Sequence, residues 1–69
     1  MLPRHERGQY PVGTIVRLKR TGEFAIIVDR SYLKDGKEFL NYLAKIEGRA
    51  DGWWAIYDDD IELECLPPE

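Results

Sequence analysis

Turn signals recur along this chain at spacings that leave little room for helices. A glycine follows threonine in RTGE (Arg20 to Glu23), Asp35-Gly36 interrupts a polar stretch, and Gly48 and Gly52 punctuate EGRADG (Glu47 to Gly52). Such pairs supply the positive φ of tight hairpin turns. The segments between them are therefore short, and the period of their apolar residues decides what they become.

TIVRLK (Thr14 to Lys19) alternates, with Val16 and Leu18 on one face and Arg17 and Lys19 on the other. That is the pattern of a half-buried strand. FAIIVD (Phe24 to Asp29) returns as a β-branched run with Phe24, Ile26 and Val28 on one face. RSYLKDGKE (Arg30 to Glu38) is polar and reads as an exposed loop or hairpin tip.

FLNYLAKIEG is ambiguous: Phe39, Leu40, Leu43 and Ile46 fit a helical stripe, whereas Leu40, Tyr42, Ala44 and Ile46 fit one face of a strand. The strand is favoured because the segment is short for a helix and follows a hairpin signal. In WWAIY, Trp53, Ala55 and Tyr57 share one face and Trp54 and Ile56 the other, so one tryptophan should face the core and its neighbour outward. YDDDIELECL then gives an acidic corner, with an aspartate capping one helical turn, and a last strand from Ile61 to Leu66 stopped by Pro67 and Pro68.

Five short strands without a helix predict an all-β fold, a small, partly open antiparallel barrel. An N-terminal arm, 1–11, would precede the barrel over 12–66, and 67–69 would form a short tail. The arm carries two prolines, a glycine and mixed charge, and is expected to order when Tyr10 docks. A chain of 69 residues supports one small core, burying about 60% of the surface exposed when unfolded. Its 43% hydrophobic and 33% charged residues are those of a folded domain rather than a disordered tail.

The single cysteine, Cys65, excludes an intramolecular disulfide and favours a reducing compartment. Alternation with Ile61 and Leu63 marks it as a small buried hydrophobe. No apolar run is long enough to span a membrane, and the N-terminus lacks the apolar core of a signal peptide, so a cytoplasmic protein is expected. The net charge of −3 is unevenly divided. Residues 1–37 carry eight Lys/Arg against four acids, and residues 38–69 carry two against nine.

VGTIVRLKRTGEFAIIVD resembles the opening of small SH3-like barrels, including KOW-type modules, and WWAIYDDDIELE resembles their close, where an aromatic strand meets an acidic one-turn corner. The resemblance covers residues 12–66 and is architectural. It implies a five-stranded SH3-like barrel used for binding, as in ribosomal and transcription proteins, small photosynthetic subunits, and small bacterial or phage proteins. The early ALYDY-like motif of proline-peptide-binding SH3 domains is missing, so their ligand residues do not carry over. RNA-binding KOW modules are usually basic, whereas this chain is acidic.

Chemistry-bearing residues are few. His5 is the only histidine and Ser31 the only serine, and no phosphate-cradling glycine loop is present. No enzyme and no cofactor are expected. Asp58, Asp59, Asp60, Glu62 and Glu64 could offer oxygen ligands, but their spacing is not that of a calcium loop, and a solvated corner is the simpler reading.

Among Tyr32, Tyr42, Trp53, Trp54 and Tyr57, most rings should be core or half-buried, with at least one exposed at a contact surface. The expected function is a non-enzymatic protein-interaction module using Trp53, Trp54 and Tyr32, with Arg30 or Asp59 at the rim, as a monomer or weak homodimer without a membrane partner. The alternative is a KOW-like nucleic-acid binder using Arg17, Lys19, Arg20 and Lys34. A third is a small subunit of a photosynthetic electron-transfer complex.

Overall fold

A computed structural model describes residues 10–33, 36, 38–50 and 52–68. The arm before Tyr10, with His5, and the residues Lys34, Asp35, Lys37 and Asp51 lie outside the described residues. Strands run over Ile15–Leu18 (β1), Phe24–Leu33 (β2), Glu38–Ile46 (β3), Trp54–Ile56 (β4) and Ile61–Cys65 (β5), with a 3-10 turn at Asp58–Asp60. They form one antiparallel sheet in the order β4-β3-β2-β1-β5. The sheet is not closed, since β4 and β5 each have one neighbour.

The ambiguous third segment is a strand from Glu38 to Ile46. A helix there would have buried an isolated stripe, whereas the strand supplies the centre of the sheet, paired on both sides. β2 is longer than expected, because Arg30 to Leu33 continue the ladder against Glu38 to Tyr42 instead of forming a loop. Two bulges make this possible. Val28 is the extra residue between the pairs Ile27↔Ala44 and Asp29↔Leu43, and Leu40 the extra residue between Ser31↔Asn41 and Tyr32↔Phe39. Each reverses the phase of the strand, because side chains alternate with period two.

The core follows from that register. Val16 and Leu18, Ala25 and Ile27, Tyr42, Ala44 and Ile46, Ile56, and Ile61 turn inward from the five strands. The Leu40 bulge turns Leu40 outward and lets Phe39 pack against the core. At the start of β2, Phe24 and Ile26 face outward and remain exposed.

Tyr42 is the largest fully buried side chain. Its hydroxyl donates to Asp58 Oδ1 at 2.7 Å and accepts the Tyr10 backbone N–H at 3.4 Å. A buried phenol and carboxylate need such partners, and here each supplies one to the other. Asp58 thus faces the core; Tyr57 stands at the N-cap of the 3-10 turn, and no side chain caps it. The expectation of an aspartate cap is corrected on this point. Tyr10 stacks on Tyr42 with ring centroids 5.9 Å apart, and burial, followed by the Asp58 charge, raises its phenol above 10.0.

Gly13 sits where the chain enters β1, with φ +98° and its N–H bonded to the Ile27 carbonyl at 2.8 Å. A Cβ there would meet the Pro67 side chain at 3.2 Å, so the segments flanking the barrel touch at this point. Cys65, expected in the core, is exposed. The Glu64 bulge, between Ile15↔Cys65 and Val16↔Leu63, reverses the phase of β5 and places Cys65 opposite the outward Ile15.

Candidate functional site

The turn from β3 to β4 begins at Ile46, whose carbonyl accepts the Arg49 N–H at 3.2 Å. That turn carries the Arg49 guanidinium to Glu23, where Nε and a terminal nitrogen bond the two carboxylate oxygens at 3.0 and 2.6 Å. The fork is bidentate and fixes the guanidinium plane. Its hydrogen bond, reinforced by Thr21, holds the Glu23 carboxyl below its usual range, and the same pairing raises Arg49. Arg49 also lies over the Trp54 ring, 5.0 Å from its centroid. A cation over an indole face is attracted by the ring's quadrupole.

Trp54 opens β4 opposite Ala44, on the face that two residues later delivers Ile56 to the core. Strand β4 is only three residues long and lies at the sheet edge. Among the described residues no further strand covers its first residue, and Trp54 is 39% exposed and Trp53, preceding the strand, 57%. Trp54 thus lies on the core-facing side of β4, as alternation predicts, but stays half-exposed at its margin, and Ile56 takes the fully inward place.

Beside Trp54 a groove of about 250 Å³ runs toward the 3-10 turn. The buried Leu18, Ile46 and Ile56 form its floor, and Trp54, Tyr57 and Arg49 line it as well. Arg20 and Thr21, from the β1–β2 turn, and Asp60 complete the wall. The Lys19 N–H bonds the Asp60 carbonyl at 2.9 Å and fixes the 3-10 turn against β1. The result is a fixed apolar floor with aromatic and arginine edges, a composition suited to gripping a side chain or an extended segment.

The residues singled out from sequence are distributed among several places. Trp54 and Arg20 line the groove, and Asp59 is exposed next to Asp60 on the same turn. Tyr32 sits at the far end of β2, edge-on to Phe39 at 6.0 Å. Its pairing partner Phe39 lies five positions along β3 from Ala44, the partner of Trp54, about 16 Å of extended strand. Arg30 pairs with Tyr42 near that end and is half-buried. Trp54 and Tyr32 thus do not share one patch.

Arg17 points from the outer face of β1, with its guanidinium 2.6 Å from Glu62 and 3.9 Å from Glu64. The Glu62 hydrogen bond raises Arg17, and Arg17 in turn lowers Glu62. Arg17 and Arg20 therefore serve different surfaces, and Lys34 lies outside the described residues. Among the described residues, no three His, Cys, Asp or Glu side chains gather as metal ligands would, and no helix is long and apolar enough to cross a membrane.

Sequence reasoning missed Arg49, which stood in a segment read only as a turn. The available signal was an arginine between two glycines, immediately before paired tryptophans. Compared with protein-family models, with curated proteins and with solved structures, the chain matches none of them.

Proposed function

We propose that this chain is a non-enzymatic SH3-like barrel acting as a protein-interaction module, and that it grips its partner in the groove between Trp54, Tyr57 and the β1–β2 turn. The observation that carries this reading is Trp54 itself, a half-exposed indole braced by an arginine over an apolar floor. The strand order and the 3-10 turn before the last strand support the SH3-like assignment. Exposed aromatics in preorganised pockets bind at low entropic cost, because the rings need not be ordered again.

Partner capture with the wild-type chain and with Trp54→Ala and Tyr57→Ala variants tests the reading. Each groove variant should weaken retention of the same partner by more than ~1 kcal/mol. Tyr32→Ala, at the far end of the sheet, should leave it unchanged. Equal retention by wild-type and Trp54→Ala protein would contradict the assignment.

A further inference from the structure

The outer face of β1 to β3 carries a second surface. Ile15, Phe24 and Ile26 point away from the core at 38%, 43% and 41% exposure, over a depression of about 220 Å³ bordered by Lys45 and Glu47. Strands apolar on both faces belong to sheets covered on both faces, and FAIIV is such a run. Among the described residues, the inner half is covered and the outer half is not.

The cross-strand register shows what would cover it. Ile15 pairs with Ile26 and Ile26 with Lys45, forming one outward row across the three strands. Arg17 pairs with Phe24, and Phe24 accepts the Glu47 N–H at 2.9 Å, forming the next outward row. A two-fold axis in the plane of the interface, running between these rows, sets each row of one copy on the other row of its mate. Lys45 then meets Glu47, Ile26 meets Phe24, and Ile15 meets the aliphatic stem of Arg17, whose guanidinium stays with Glu62.

We propose that this chain forms an isologous, face-to-face homodimer through the outer face of β1 to β3, with Lys45 and Glu47 paired reciprocally across the two-fold axis. Both copies contribute the same apolar strip, and charge complementarity arises twice from a single pair of residues. Sheets stacked in this way lie about 10 Å apart with aligned strands. The groove at Trp54 shares only Ile46 with this depression, and Lys45 and Glu47 lie outside the groove, so the dimer and the groove are tested by different variants.

Sedimentation equilibrium of the full chain, with a reducing agent present to prevent a Cys65 disulfide, tests the proposal. Wild-type protein should dimerise reversibly. Lys45→Glu and Glu47→Lys each place like charges opposite one another at two symmetric points and should raise the dissociation constant at least about tenfold. The double variant Lys45→Glu/Glu47→Lys restores opposite charges and should dimerise as wild type does. Both positions are exposed, and thermal melts of each variant check that the fold is kept. A chain that stays monomeric up to about 1 mM would overturn the proposal. So would a dimer indifferent to the single changes or not rescued by the double one.

Discussion

Tyr42 shows how one residue ties the hydrophobic core to the acidic corner. Its ring lies between Tyr10 and Phe39, while its hydroxyl reaches Asp58 across the turn that leads into β5. Tyr42→Phe keeps the ring but removes this donor from a buried carboxylate, so unfolding stability should fall by about 1.5–3 kcal/mol in a denaturant titration. A loss near zero would mean that the hydroxyl contributes nothing. The Glu23 carboxylate offers a test of a different sign. Its folded value is lowered from 4.5 by the Arg49 hydrogen bond. The stability it contributes is present above 4.5 and disappears as pH falls through the lowered value. The difference in denaturation midpoint between wild type and Glu23→Gln should therefore be small but measurable at neutral pH and vanish in acid, where the protonated acid resembles the amide. A difference that persists unchanged at low pH would contradict the pairing. Sequence alone marked Tyr42 as a strand residue and the aspartates as solvated, but a contact between positions sixteen apart depends on the fold that joins them.

Elements were legible where alternation was uninterrupted. β1 was readable because Val16 and Leu18 alternate cleanly with charge, and β3 because a hairpin signal precedes it and its inward set is Tyr42, Ala44 and Ile46. The far half of β2 was not, because Val28 and Leu40 bulge out of the ladder and break the period by which strands are read. Cys65 was misplaced for the same reason, by the bulge at Glu64. Turns can be tested separately from strands. Gly22 has φ +79° with open space around a would-be Cβ, so Gly22→Ala should cost about 1–2 kcal/mol from the left-handed backbone alone. Gly13→Ala adds the 3.2 Å approach to Pro67 and should cost more in the same denaturant assay. Equal losses would show that Pro67 yields freely.

At the scale of the whole molecule, the five-stranded, open architecture was readable from turn spacing and apolar period, whereas the groove was not. Its lining comes from β1, the β1–β2 turn, the end of β3, β4 and the 3-10 turn, segments from Leu18 to Asp60 that only folding brings together. Trp54 could be singled out in advance as a candidate contact; the Arg49 brace and the Leu18 floor could not. The uneven charge along the sequence also loses its meaning in space. Arg17 from the basic half lies against Glu62 and Glu64 from the acidic half, because β1 and β5 are neighbours. That neutralisation weakens any continuous basic stripe of the kind that makes nucleic-acid affinity fall steeply with salt.

The two tryptophans allow binding in the groove to be read in one spectrum. In nitrogen-labelled protein, the Trp53 and Trp54 indole N–H groups give separate signals that can be followed as the captured partner is added at physiological salt, and as duplex and single-stranded nucleic acid are added in parallel at low salt. The partner should shift the Trp54 indole and the Arg49 amide while Tyr32 stays still. Unmoved groove signals, with salt-sensitive shifts from Arg17 to Arg20 on adding nucleic acid, would contradict it.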